Sequence, residues 1–163
     1  MSGITPGQLL AFCHSIYEVK RGLGWEVLDA APPADSGVPE DSTQRWALIS
    51  ACNPLSALLH ADVNRARHDR LHTVISAAGA TCFPGRGRAP DSSWSEDSWL
   101  VHAPLPLVDA WARAFDQHAV YLPPQQGQAA GLRIYSPPAD GQRPPFMGNL
   151  RLEWVGCDPP FAT

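Results

Sequence analysis

A chain of 163 residues is about one domain's worth, and 44% apolar with only 17% charged residues suits a buried core rather than a disordered tail. No run of 18 apolar residues occurs, and the first residues lack a basic stretch followed by an apolar one, so neither a membrane span nor a secretory leader is expected. A formal net charge of −4 disfavours a broad phosphate-binding surface, so nucleic acid is not an expected partner.

The 17 prolines cluster, and the clusters mark loops. Thr5-Pro6-Gly7-Gln8 reads as a helix start, with Thr5 as cap and Pro6 in the first position. Leu9, Phe12, Ile16 and Val19 keep helical spacing to about Lys20. Residues 22–28 read as a short strand, and 30–44, rich in Pro, Asp, Ser and Gly, as a surface loop. Residues 46–52 form an apolar run stopped by Asn53-Pro54, which predicts a buried strand. A helix is expected over 61–78, ended by Gly79. Residues 80–83 read as a strand closed by Pro84-Gly85, 86–95 as a loop, and 98–102 as the next strand. A second helix over 106–115 turns Leu107, Ala110, Trp111, Ala114 and Phe115 inward. A strand over 119–122 follows, then strand candidates at 132–135 and 150–155 around a turn-rich loop, 136–148.

The order β-α-β-β-α-β predicts an α+β fold with a ferredoxin-like core sheet, extended by an N-terminal helix and C-terminal strands. One domain, 1–163, is expected, with 46–122 as its centre and 1–45 and 123–163 as elaborations. Following the chain up and down through this topology brings three turns to one edge: 53–61, 84–97 and 116–118. They carry Asn53, Ser56, Trp94, Glu96 and Gln117, with Asn64 in the first helical turn and Ser98 at a strand start. At ~100° per residue, Asn64 and His68 share the side of Leu71, Ile75 and Ala78. Polar groups facing inward at the open end of a core line pockets.

The expected partner is therefore a small polar or phosphorylated molecule. Asn53, Ser56, Asn64, His68, Ser98 and Gln117 would hold it, with Trp94 stacking on it. Glu96, flanked by Trp94 and Trp99, is the candidate catalytic residue, since aromatic burial prepares a carboxyl as general acid or base. Its plainer reading is a rim residue bonding backbone amides of the 53–61 loop. Whether there is an enzyme here stays open at this level. The third reading is a protein-interaction module or homodimer using Trp25, Trp46 and Trp154.

Cys13, Cys52, Cys82 and Cys157 are too scattered for a zinc ribbon and read as reduced structural thiols, which points to the cytoplasm. His68-Asp69-Arg70-Leu71-His72 echoes a zinc helix, with His60 and His118 as further ligands, yet His72 points away from the buried side, so no metal is expected. No cofactor is expected either. Pro84-Gly85-Arg86-Gly87-Arg88 reads as a basic hairpin loop without the Lys-Ser/Thr of a phosphate-binding loop.

The central segment resembles the bacterial domain of unknown function 3293 family over about 46–122. The resemblance rests on Ala47-Leu48-Ile49-Ser50-Ala51-Cys52-Asn53-Pro54-Leu55-Ser56, on Asn64 with Leu71, on Trp94 to Val101, and on Phe115-Asp116-Gln117-His118-Ala119-Val120-Tyr121. It implies a small cytoplasmic bacterial protein and no established activity. Family members usually carry Phe-Gly-Gln-Asn where this chain has Phe115-Asp116-Gln117-His118, and Gln where it has His68. The two histidines are thus not implied to be family chemistry.

Overall fold

The computed structural model describes residues 3–30 and 43–155. Helix α1 (Pro6–His14) starts at a reciprocal cap: the Gln8 amide donates to Thr5 Oγ1 at 3.1 Å and the Thr5 amide to Gln8 Oε1 at 2.9 Å. It ends well before Lys20. From Ile16 the chain becomes strand β1 (Ile16–Arg21), paired antiparallel with β2 (Gly24–Val27) across a turn in which Gly22 takes φ +58°. Ile16, Tyr17 and Val19 are β-branched or aromatic, and two strand neighbours outweigh their helical spacing.

Residues 31–42 of the expected surface loop lie outside the described residues. Next come β3 (Gln44–Ser50), a 3-10 turn (Pro54–Ser56), α2 (Ala61–Ala77), β4 (Thr81–Arg88), β5 (Ser95–Pro104), α3 (Leu105–Ala114) and β6 (Ala119–Leu122). The chain then forms β7 (Gly131–Ile134), the two-residue β8 (Phe146–Met147) inside the expected loop, and β9 (Leu150–Trp154). The fold is α+β: three α-helices and nine strands among the described residues, the strands in one mixed sheet ordered β2-β1-β4-β5-β3-β6-β7-β9-β8. The pair β7–β9 is parallel and every other pair antiparallel. Among the described residues no helix is long and apolar enough to cross a membrane.

Strand β4 runs straight through Pro84-Gly85, where a strand end is expected from sequence. Pro84 lies beyond Gly85, the last residue that pairs with β1, so β5 is its one strand neighbour and the missing N–H is tolerated. The hairpin loop between β4 and β5 consequently shrinks to residues 89–94.

Alternate residues of these strands face two cores. On one side Ala47, Ile49 and Val101 pack under Leu71 and Ile75 of α2 and Val108 of α3. Each of the fully buried Ile, Leu and Val side chains there contributes about 2 kcal/mol. On the other side Leu48, Leu100, Tyr121 and Leu132 meet Leu9 of α1 and Val19 of β1. The sheet curls around this second core. Tyr17 of β1 stacks on Tyr121 of β6 with centroids 4.0 Å apart, although three strands lie between theirs. Gly85 permits the curl, because a Cβ there would stand 2.5 Å from Leu48 Cδ1 and 3.0 Å from the Glu18 carbonyl oxygen.

The additions are tied in by polar contacts. Arg133 of β7 donates to both Asp109 oxygens of α3, at 2.7 and 2.8 Å, and to Glu153 of β9 at 2.8 Å. Cys13, Cys52 and Cys82 are free thiols, each shifted toward the protonated form by burial, while Cys157 lies outside the described residues. The three tryptophans differ in exposure. Trp46 is only 7% exposed and tilts against His102, Trp25 is 37% exposed with the Arg86 guanidinium 4.0 Å over its ring, and the half-buried Trp154 donates to the Pro144 carbonyl. Ala78, expected on the buried side of its helix, is exposed at the C-cap.

Candidate functional site

After β3 the chain turns through an unusual backbone. Asn53, Leu55 and Ser56 all sit in the left-handed region, with φ of 46°, 50° and 63°. A leucine there costs on the order of 1 kcal/mol, so its surroundings must hold it. The Leu55 amide donates to the Asp116 carbonyl at 2.7 Å, and the Ser56 amide to the Asn53 carbonyl at 2.9 Å. Gln117 Nε2 donates to the Cys52 carbonyl at 3.1 Å. Arg67 of α2 completes the clamp, giving Nε to the Ala51 carbonyl and Nη2 to the Phe115 carbonyl, both at 2.6 Å. The segment after β3 is thereby locked to the turn after α3.

The same segment is locked to β5. Asn53 Nδ2 donates to Glu96 Oε1 at 2.9 Å. Asn53 Oδ1 accepts from the Leu59 amide at 3.0 Å and from Asn64 Nδ2 at 2.9 Å, while the Asn53 amide donates to Asn64 Oδ1 at 2.9 Å. Asn53 and Asn64 thus spend most of their hydrogen-bonding capacity on each other and on the loop. One N–H of Asn53 remains over. They position Glu96 and the loop more than they offer themselves to a ligand.

A cleft of about 440 Å³ opens here, walled by Asn53, Ser56 and Asn64 on one side, by Trp94 and Glu96 on another, and by Gln8 and Phe12 of α1 on a third. Behind Glu96 lies a chamber of about 40 Å³, bordered by Ser98, Gln117, Tyr17 and Tyr121. Phe12, Trp94 and Glu96 border both spaces. Glu96 and Gln117 therefore stand at the same pole of the molecule. No lysine, arginine or histidine lines either space among the described residues.

Burial pushes the Glu96 carboxyl above the ordinary glutamate range, and the hydrogen bond from Asn53 offsets only part of this. Among the described residues its Oε2 has no hydrogen-bond partner. The desolvating groups differ from those expected. Trp94, Glu96 and Ser98 alternate onto the concave face of β5, whereas Trp99 points to the opposite face and packs against the α2 and α3 core. Phe12 takes its place. Glu96 also bonds the Asn53 side chain, not the backbone amides of the 53–61 loop.

The same parity removes His68 from the cleft. Its ring stacks on Trp99 at 4.4 Å, and His72 stacks on Trp99 at the same distance. Burial pushes the His68 imidazole below its usual range. His60 caps α2, accepting the Asp62 amide at 3.3 Å, and His118 bonds Ser136 Oγ at 2.6 Å. The four histidines do not converge.

Parity also disposes of the basic loop. Gly85 and Gly87 pair with Ser98 and Glu96, so they share the concave face and leave it open. Arg86 and Arg88 point the other way, where both give Nε to Glu18 Oε1, at 2.9 and 2.7 Å. Among the site residues expected from sequence, Asn53, Ser56, Asn64, Trp94 and Glu96 line the cleft, Ser98 and Gln117 line the chamber, and His68 lines neither. Sequence reasoning missed Gln8, Phe12 and Arg67. The helical spacing of Phe12 was visible, but which sheet face its helix covers is decided by long-range packing.

A second cleft, of about 490 Å³, lies between α1, the β1–β2 hairpin and the β8–β9 turn, and none of the expected residues lines it.

Comparison with curated proteins and with solved structures finds no match. Residues 49–120 match the model of the family described as "Protein of unknown function (DUF3293)", a span that holds every cleft and chamber residue from Asn53 to Gln117 and leaves α1 outside, so this segment is similar to that family as its sequence blocks suggest.

Proposed function

We propose that this protein binds a small polar ligand in the 440 Å³ cleft, with Glu96 as the recognition group and Trp94 and Phe12 as apolar walls. One observation carries the reading. The cleft wall holds a part-buried carboxylate with one oxygen unbonded among the described residues, held in place by a strained and heavily hydrogen-bonded loop. The lack of lysine and arginine in the described walls turns the choice away from phosphorylated ligands. Nuclear magnetic resonance of the labelled full chain, screened with neutral, cationic and anionic small molecules, tests it. Binding compounds should move the Asn53 side-chain amide, the Leu59 amide and the Trp94 indole together. Compounds that move only signals of the α1–β9 groove, or none at all, would refute it.

A second reading is catalysis, favoured by the carboxyl that burial holds above its ordinary range. Such a group can carry a proton near neutral pH and give it to a bound substrate. Glu96→Gln would then retain binding and lose turnover.

The centre of the fold reads as ferredoxin-like. The strand order β4-β5-β3-β6, antiparallel throughout, and the shared face of α2 and α3 support that assignment.

A further inference from the structure

Resting on that binding reading, we infer that the cleft selects an organic cation: a protonated amine or guanidinium attached to a flat or apolar body. Three features of the site lead there.

The first is charge. Glu96 is a carboxylate without a cationic partner, and no lysine, arginine or histidine lines the cleft or the chamber among the described residues. The guanidinium groups nearest in sequence, Arg86 and Arg88, are on the opposite face of β4 and already occupied by Glu18. An anionic ligand would meet the Glu96 charge with no cation beside it among the described residues, whereas a cation would supply the missing counter-charge.

The second is the wall. Phe12 and Trp94 both border the cleft beside Glu96, and Trp94 is 41% exposed at the rim. Aromatic faces attract a cation through their quadrupole and also accept a flat apolar body. The wall also includes Ala11, Leu58, Leu59 and Ala61, which suit the uncharged part of such a molecule, alongside the uncharged polar Gln8, Ser56 and Ser95.

The third is hydrogen-bond polarity. Asn53 Oδ1 and Asn64 are consumed by the loop, so among the described residues the charged acceptor left facing the ligand is Glu96 Oε2. A carboxylate oxygen calls for a ligand that donates, and ammonium and guanidinium groups only donate. Other titratable groups near Glu96 do not compete. Tyr17 donates its hydroxyl to the Phe12 carbonyl at 2.6 Å, Tyr17 and Cys52 are both kept protonated by burial, and α1, β4 and α2 present Phe12, Gly87 and Asn64. Asp97 lies on the other face of β5.

Three probes of one shape separate the terms: benzylammonium, benzyl alcohol and benzyl phosphate, titrated into the full chain by calorimetry and followed at the Asn53, Leu59 and Trp94 signals. Benzylammonium should bind about tenfold or more tighter than benzyl alcohol, and benzyl phosphate weakest. Glu96→Gln should erase that tenfold preference and leave benzyl alcohol within about twofold. If that variant fails to fold, the wild-type chain still decides: from pH 4 to pH 8 affinity for benzylammonium should climb as Glu96 ionises, while affinity for benzyl alcohol stays level. Equal or tighter binding of the alcohol or the phosphate at the cleft signals overturns the cation assignment and leaves the cleft itself standing. No response at those signals to any of the three probes overturns both.

Discussion

Glu18 of β1 and Glu96 of β5 occupy opposite faces of one sheet, on either side of β4, and live in opposite electrostatic worlds. Glu18 is 5% exposed and shared by two guanidinium groups, Arg86 and Arg88, from β4. Burial alone would raise its carboxyl, yet the hydrogen bonds and charges of the two arginines hold it below the ordinary range. Glu96 is also desolvated, and among the described residues it receives one amide hydrogen bond and no cation. The difference follows from strand parity. Residues 86 and 88 of β4 turn to Glu18, while 85 and 87 are glycines that turn to the side of Glu96 and bring no charge. A carboxylate with its charges satisfied stabilises the fold; one left unpaired beside an open cleft is available to something else.

The largest expected effect comes from breaking the satisfied partner. Glu18→Ala should lower unfolding free energy by about 3 kcal/mol in a denaturant titration, the low end for a broken buried pair because both arginines reach solvent. The Glu18 contribution also has a pH signature. With its folded value below the unfolded one, its stabilisation is present above the ordinary glutamate range and lost as pH falls through the depressed value.

Breaking the positioning network comes next. Asn53→Ala removes the partner of Glu96, Leu59 and Asn64 and places alanine at φ 46°, for an expected loss of about 2 kcal/mol by thermal and denaturant unfolding. Asn53→Gly, which accepts that backbone, should recover only the conformational share of the loss.

The unpaired carboxylate should respond in the opposite sense. Its folded value lies above the unfolded one, so ionising it on the way to neutral pH opposes folding. Glu96→Gln should be at least as stable as wild type at pH 8, with the advantage shrinking as pH falls through the raised Glu96 value and gone below the ordinary glutamate range. Melting curves at pH 8 and at pH 4 measure it. Smallest of all, Trp94→Ala at the exposed rim should move stability by no more than ~0.5 kcal/mol while weakening whatever the cleft holds.

How much of this was legible depended on whether a feature is local. The α2 helix, its stop at Gly79 with φ +72° and the Thr5 cap are local, and each is found where the sequence puts it. Features set by neighbours were not legible. Ile16 and Val19 fit a helix until β4 offers them a ladder, and Pro84 looks like a strand end until one side of β4 is seen to be vacant there. His68 fits the pocket side by helical arithmetic, but the residue it meets, Trp99, faces away from Glu96 by the two-residue period of β5. Phe12 needed the curl of the whole sheet, visible only in the Tyr17–Tyr121 stack.

The contrast between the two carboxylates rests on their protonation, which carbon-13 detection at the two Cδ positions follows residue by residue through an acid titration. The Glu96 midpoint should lie above the ordinary glutamate value of ~4.3 and the Glu18 midpoint below it. A Glu96 midpoint at or below that value would contradict the account, since the carboxylate would then have a partner that the cleft geometry does not contain.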